Sequence, residues 1–276
     1  MKNLVHSLLL IAAVSSFTVA CKKEGITPNQ DDKTLAPAAL NERGSGGTLV
    51  SPQTYKLTRR GTDTLIYNRD GRLGKVAKDA ANYTVYTYGI NSITAKMYIN
   101  NALFRETYYK LDPATGRAVD ATSKIFLQLG DNFNTAISAE AFTYDASGRL
   151  KTKYNMSNPK QYNEYIYFAD ELQIHVHGSD GKGTHFHLYP FKNKILNTFK
   201  LNPENSGLDI YLNIFGAATK YLPSGKHIMD NATQAWTTAE VHTFNLNQEG
   251  YPKQLVRKNL LTNTSTTETF AYTPVK

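Results

Sequence analysis

Phe142-Thr143-Tyr144-Asp145-Ala146-Ser147-Gly148-Arg149-Leu150 is the stretch on which the fold turns. An aromatic strand end runs into a tight turn, and a basic-apolar strand start leaves it. Asp145 caps the turn through its side chain, and Gly148 supplies positive φ before the next strand. Ile66-Tyr67-Asn68-Arg69-Asp70-Gly71-Arg72-Leu73 is the same unit. Tyr109 to Arg117 is a version with extra residues, and Thr243 to Pro252 is a degraded one. Tyr67 and Tyr144 stand where a ring can cover the hairpin's end. Arg72 and Arg149 fall on the wet face, with their stems over apolar surface.

Between these units the chain alternates. Tyr83 to Tyr88 is wholly β-branched or aromatic, and Leu208, Ile210, Leu212 and Ile214 alternate with Asp209, Tyr211, Asn213 and Phe215. Tyr162 to Phe168 and Thr269 to Tyr272 behave similarly. Period two bounded by Gly, Asn, Asp and Pro predicts half-buried antiparallel strands. Only the short stretch from Asn132 to Ala141 has an equivocal helical look. Residues 54–276 therefore read as an all-β domain, an antiparallel sheet of successive hairpins that is open, curved or sandwich-like. The chain has 276 residues, 11% aromatic, with a single Cys, which excludes both a disordered chain and a disulfide scaffold. No apolar run of about 18 residues follows the N-terminal segment, which excludes a polytopic helical membrane protein.

The N-terminus reads as an address. Lys2 is a positive n-region, Leu4 to Phe17 is mostly apolar, and Thr18-Val19-Ala20 leads to Cys21. Residues 1–20 are the layout of a cleaved secretory signal, and the small residues before the sole cysteine resemble a bacterial lipoprotein signal. That resemblance implies a lipidated Cys21 as the first mature residue. No Asp follows it, which points to the outer membrane, with the periplasmic or cell-surface face left open. Residues 21–53 form a disordered tether, broken by Pro28, Pro37, Pro52 and Gly44-Ser45-Gly46-Gly47.

The Tyr-Asp-x-x-Gly-Arg-Leu unit resembles the YD repeat of RHS-type proteins. Together with the lipoprotein signal and a closing Phe270-Ala271-Tyr272 strand, the chain is similar to uncharacterised β-rich lipoproteins common in Bacteroidetes. The resemblance implies successive hairpins. It does not imply the closed shell of large RHS proteins, because four irregular copies are too few to enclose a cavity. It brings no catalytic residues with it.

Four of the seven histidines, His175, His177, His185 and His187, bracket a glycine-rich loop. A two-residue Asp180-Gly181 turn would pair Val176 with His185 and mix apolar and polar residues on each face. An odd loop places Ile174, Val176, Phe186 and Leu188 on one face and all four imidazoles on the other, and segregation by burial favours it. Such a face has the donors for zinc or copper. Tyr86 with Tyr88, and Tyr165 with Tyr167, project from single strand faces and offer a flat ligand platform, for example for a glycan. Trp236 lies in a loop or at a strand edge.

Enzyme signatures are weak: Ser157-Asn158-Pro159-Lys160 lacks the partner motifs of a Ser-x-x-Lys enzyme, and Ser224-Gly225-Lys226-His227 lacks the leading Gly of a phosphate loop. The +8 charge is dispersed, and an exported, tethered chain is a poor nucleic-acid binder. The sequence thus reads as a lipid-anchored envelope protein, a non-catalytic binding or structural module without a cofactor. Its alternatives are a metal-binding lipoprotein and a glycan-binding one. Its partners are the membrane, and a glycan or an envelope protein.

Overall fold

The computed structural model describes residues 54–129 and 132–275, so the signal segment, Cys21 and the tether lie outside the described residues. The first strands are β1 (Tyr55–Arg60), β2 (Asp63–Tyr67), β3 (Leu73–Ala77) and β4 (Tyr83–Gly89). They are followed by β5 (Ser92–Ile99), β6 (Ala102–Leu111), β7 (Ala118–Leu129) and β8 (Asn132–Tyr144). Next come β9 (Leu150–Asn155), β10 (Tyr162–Tyr167), β11 (Glu171–His177) and β12 (Gly183–Pro190). The last are β13 (Gly225–Asp230), β14 (Ala235–Leu246), β15 (Pro252–Asn259) and β16 (Ser265–Pro274).

Each strand pairs antiparallel with the next, and β16 returns to β1 with Tyr55 opposite Pro274 and Arg60 opposite Phe270. The sheet is therefore a closed barrel of sixteen strands, not the open, curved or sandwich-like sheet expected from the sequence. Four marked turns suggested too few hairpins to enclose a space. The strands between unmarked turns carry the same alternation, however, and closure leaves no unpaired edge. The equivocal stretch 132–141 lies within β8.

The four turn units each join an even strand to the next odd one, so all sit at one rim of the barrel. Asp145 N donates to Arg149 O at 2.9 Å and Gly148 N to Asp145 O at 2.9 Å. Asn68 with Gly71, and Asn247 with Gly250, repeat the pair of bonds. Tyrosines then tie neighbouring strands at the same rim. The hydroxyl of Tyr67 donates to Leu57 O (2.7 Å), that of Tyr88 to Leu73 O (2.8 Å) and that of Tyr144 to Ala118 O (2.6 Å). The unit arginines lie over rings of the next even strand: Arg72 is 4.3 Å from the Tyr88 ring, and Arg149 4.8 Å from that of Tyr167. Each such contact contributes about 0.5–1 kcal/mol at an exposed site.

Residues 191–224, between β12 and β13, turn into the lumen. The alternating strand expected over Leu208 to Phe215 does not form, because a closed barrel offers it no edge. Its apolar residues are buried instead: Leu212, Ile214 and Phe215 join Leu57, Leu65, Leu73 and Ile93 in one core. The segment is stitched to the wall by Ala118 N donating to Ile214 O (2.8 Å) and Ala217 N to Gly148 O (3.0 Å).

Gly216 has φ +86°, and a Cβ there would stand 2.3 Å from the Gly148 carbonyl oxygen. Gly250 has φ +82° with open space around it. Gly250→Ala should cost only the left-handed backbone strain, about 1 kcal/mol. Gly216→Ala should cost at least about 2 kcal/mol, because the backbone of the rim turn must also move. Denaturant unfolding of the two variants checks the difference.

Candidate functional site

The inward segment is held by hydroxyls at the ends of long rings. Tyr86 donates to Asp209 Oδ2 (2.8 Å), Tyr165 to Ser206 O (2.7 Å) and Tyr189 to Glu204 O (2.6 Å). In the other direction, Tyr211 of the segment donates to Asp63 Oδ2 on β2 (2.7 Å). The ligand platform expected from Tyr86, Tyr88, Tyr165 and Tyr167 is thus corrected. Each pair does share a face, but it is the inward one. Tyr86 and Tyr165 are buried among core residues, and Tyr88 and Tyr167 pack against that core at the rim. Burial pushes the Tyr88 hydroxyl up to about 12 and raises Tyr165 further still. These rings clamp the barrel's own contents.

A charge cluster locks the same segment. Glu204 accepts from Arg257 at 2.6 Å and from Arg60. Arg257 also donates to Glu268 Oε2 (2.6 Å), and Lys226 lies 3.4 Å from Glu240. Burial opposes ionisation of Glu204, and the Arg60, Arg257 and Lys226 cations override it, leaving its carboxyl below the usual range. His242 completes the cluster, with Nδ1 at 3.1 Å from Pro223 O and Nε2 at 3.3 Å from Glu240. Alternation would place Arg60, Arg257 and Glu268 on inward faces, but no local signal in the sequence brings strands β1, β15 and β16 to Glu204.

The histidine hairpin takes the register that the sequence reading disfavours. Val176 stands opposite His185 and Ile174 opposite His187, with a bulge between Val176 and His177. His185 and His187 therefore face inward with Ile174, while His175 and His177 face outward with Phe186. The turn decides this. Gly178 N donates to Lys182 O and Gly181 N to Gly178 O, both at 2.9 Å, the same pair of bonds as in the rim units. A glycine in the fourth position followed by a basic residue, as in Asp145 to Arg149, is the signal that could have shown it. His177 stacks on Tyr162 at 4.0 Å, His175 meets Phe186 edge-on at 5.1 Å, and His185 Nε2 is 3.9 Å from Asp230. Among the described residues no group of three His, Cys, Asp or Glu side chains is placed to hold a metal ion. The split imidazoles do not fit a zinc or copper site.

Other expected features find plain places. Ser157 sits in the β9–β10 turn, its N–H donating to Asn155 Oδ1 at 2.8 Å. The Ser224 hydroxyl donates to Pro190 O at 3.0 Å. Trp236 is an exposed residue of β14, edge-on to His227 at 5.9 Å.

The outer wall carries charged side chains among exposed apolar ones such as Ile66, Tyr108 and Ile137. In register around the barrel run Val85, Lys96, Glu106, Lys124 and Ile137, from β4 to β8. Lys96 and Glu106 pair at 3.2 Å across this face. The neighbours that point inward, Ala95 and Thr107, are buried.

Two solved structures share the fold. A porin-like protein from Bacteroides vulgatus superposes with a TM-score of 0.55 at 16% identity, covering 79% of this chain and 99% of that one. A porin-like protein from Bacteroides uniformis superposes with a TM-score of 0.53 at 18% identity, covering 77% and 89%. No protein family description matches the chain, and no curated protein matches it.

Glu204→Gln should leave Arg60 and Arg257 sharing Glu268 as their one remaining carboxylate, and cost up to about 3 kcal/mol in denaturant unfolding. A pH dependence follows from His187, which burial first and the neighbouring His185 second depress from 6.5 to about 4. Between those values the unfolded chain binds the proton and the folded one does not. Stability therefore falls as pH drops from about 6.5 to about 4. His187→Gln should flatten part of that stability profile, leaving the acid loss that comes from His227 and His242, both lowered by burial, and at lower pH from Glu204.

Proposed function

We propose that the protein is a lipid-anchored module of the outer membrane, non-catalytic, and held beside the bilayer rather than in it. The observation that carries this reading is the charge carried midway along the wall. A membrane barrel turns an apolar band about 25 Å tall toward lipid and keeps a polar interior. Here the Lys96–Glu106–Lys124 row lies outward, and the interior holds Leu57, Leu65, Ile93, Leu172 and Ile174. Each outward lysine at the bilayer midplane would cost about 2–4 kcal/mol. The likeness to porin-like proteins supports the barrel architecture and suits an envelope setting. A lumen filled by residues 191–224 is suited to binding or to structural support, and a lipidated Cys21 supplies the attachment that the wall does not. The RHS-like turn units, which build the rim, suit the same class of β-rich lipoprotein.

Fractionation tests the reading. The Cys21→Ser chain, exported normally, should leave the membrane fraction and appear in the soluble envelope fraction, with its thermal unfolding unchanged. A Cys21→Ser chain that stays integrated in the membrane through a high-salt and alkaline wash would contradict it.

A further inference from the structure

The rim opposite the turn units holds a cavity of about 470 Å³ between the β4–β9 wall and the tip of the inward segment. Its volume falls within the range of small-molecule sites. Asn205 and Gly207 at the tip are exposed, so the cavity opens to solvent. Charged side chains line it, and all but one are satisfied. Lys153 Nζ donates to Glu140 at 2.8 Å and to Gly207 O at 3.1 Å. Asp209 accepts from the Tyr86 hydroxyl at 2.8 Å and from Tyr211 N at 3.0 Å. Arg105, half-buried and in register between Met97 and Ile125, makes no hydrogen bond or ion pair among the described residues. One turn of the alternation further along, Thr107 and Ser123 bring their hydroxyls together at 2.9 Å on the same wall.

We propose that this cavity binds a small monocarboxylate that also carries hydrogen-bonding groups, with Arg105 gripping the carboxylate and the Thr107–Ser123 hydroxyl pair reading the remainder. Arg105 feels the Asp209 carboxylate across the cavity but hydrogen-bonds to no protein group, which leaves its planar fork open to match a carboxylate. The charges bound the ligand further. The lining balances two cations, Arg105 and Lys153, with two carboxylates, Glu140 on the wall and Asp209 on the inward segment, so a monoanion is admitted more readily than a dianion such as phosphate. A sugar acid and the carboxylate end of an amino acid or dipeptide share this chemistry. The proposal deepens the binding-module reading above and rests on it. It is read in solution, so its failure is separate from any failure of the membrane assignment.

The test is titration calorimetry on the intact mature chain with four probes: D-glucuronate, L-alanyl-L-alanine, glucose and inorganic phosphate. The expected result is that glucuronate or the dipeptide binds, at least about tenfold more tightly than glucose or phosphate, and the better of the two identifies the source. Arg105→Gln should weaken that binding by at least about tenfold, Arg105→Lys by less, and the outward control Glu106→Gln not at all. Because Arg105 makes no hydrogen bond or ion pair with the protein, Arg105→Gln should stay within a few degrees of the wild-type Tm without ligand and lose the ligand-induced rise. Should Arg105→Gln unfold, the Arg105→Lys titration alone decides, since a lost fork must still weaken binding. No binding of either carboxylate, a preference for phosphate, or carboxylate binding indifferent to Arg105 would overturn the proposal.

Discussion

A sixteen-strand cylinder is too wide for its own wall side chains to fill, and the rest of the structure answers that constraint. The connection at residues 191–224 occupies the space, and an irregular backbone placed there must find partners for its N–H and C=O groups. Tyrosine suits the task, because its ring buries apolar surface while its hydroxyl reaches a carbonyl at the end of that ring. Tyr165 and Tyr189 do this for Ser206 and Glu204. Within the segment, the Asn202 amide donates to Asp209 O and Leu212 O at 2.6 and 2.9 Å. A chain with 18 tyrosines thereby anchors an inner strand-free segment without a sheet edge.

The charges follow the same logic. Desolvating Arg60, Arg257 and Glu204 is expensive, and it is offset only by close mutual pairing. The pairing joins β1, β15 and β16 to the inward segment at the place where the barrel closes, so closure and filling reinforce one another. Apolar core and paired charges thus share the lumen, while strand alternation leaves the Lys96, Glu106 and Lys124 row on the outer face.

Much of this was legible in the sequence, and the exceptions have identifiable causes. The turn units read from Asp145 to Arg149 and from Asn68 to Arg72 form the hydrogen bonds expected of them, because turn chemistry is local. Closure was not legible, since pairing of Tyr55 with Pro274 is set by the strand count and not by any residue at either end. The same global fact undid the alternating stretch at Leu208 to Phe215, which has strand-like residues but no edge to join. At His175 to His187 two local rules competed. The turn at Gly178 to Lys182 outweighed segregation of apolar residues, and the four imidazoles were divided between faces. For Tyr86 and Tyr165 the periodicity was right and only the side facing water was misread, because period two cannot distinguish the inside of a barrel from the outside. The Glu204 cluster gathers residues from opposite ends of the chain and leaves no trace in local spacing.

The central claim is that residues 191–224 are a packed part of the barrel rather than a free loop. Amide hydrogen exchange on the intact protein measures this most directly. Protection of Leu201, Asn202, Tyr211 and Ala217 comparable to that of the wall strands is the result the account predicts. Exchange of those amides at the rate of an open loop, while β5 to β8 stay protected, would contradict it.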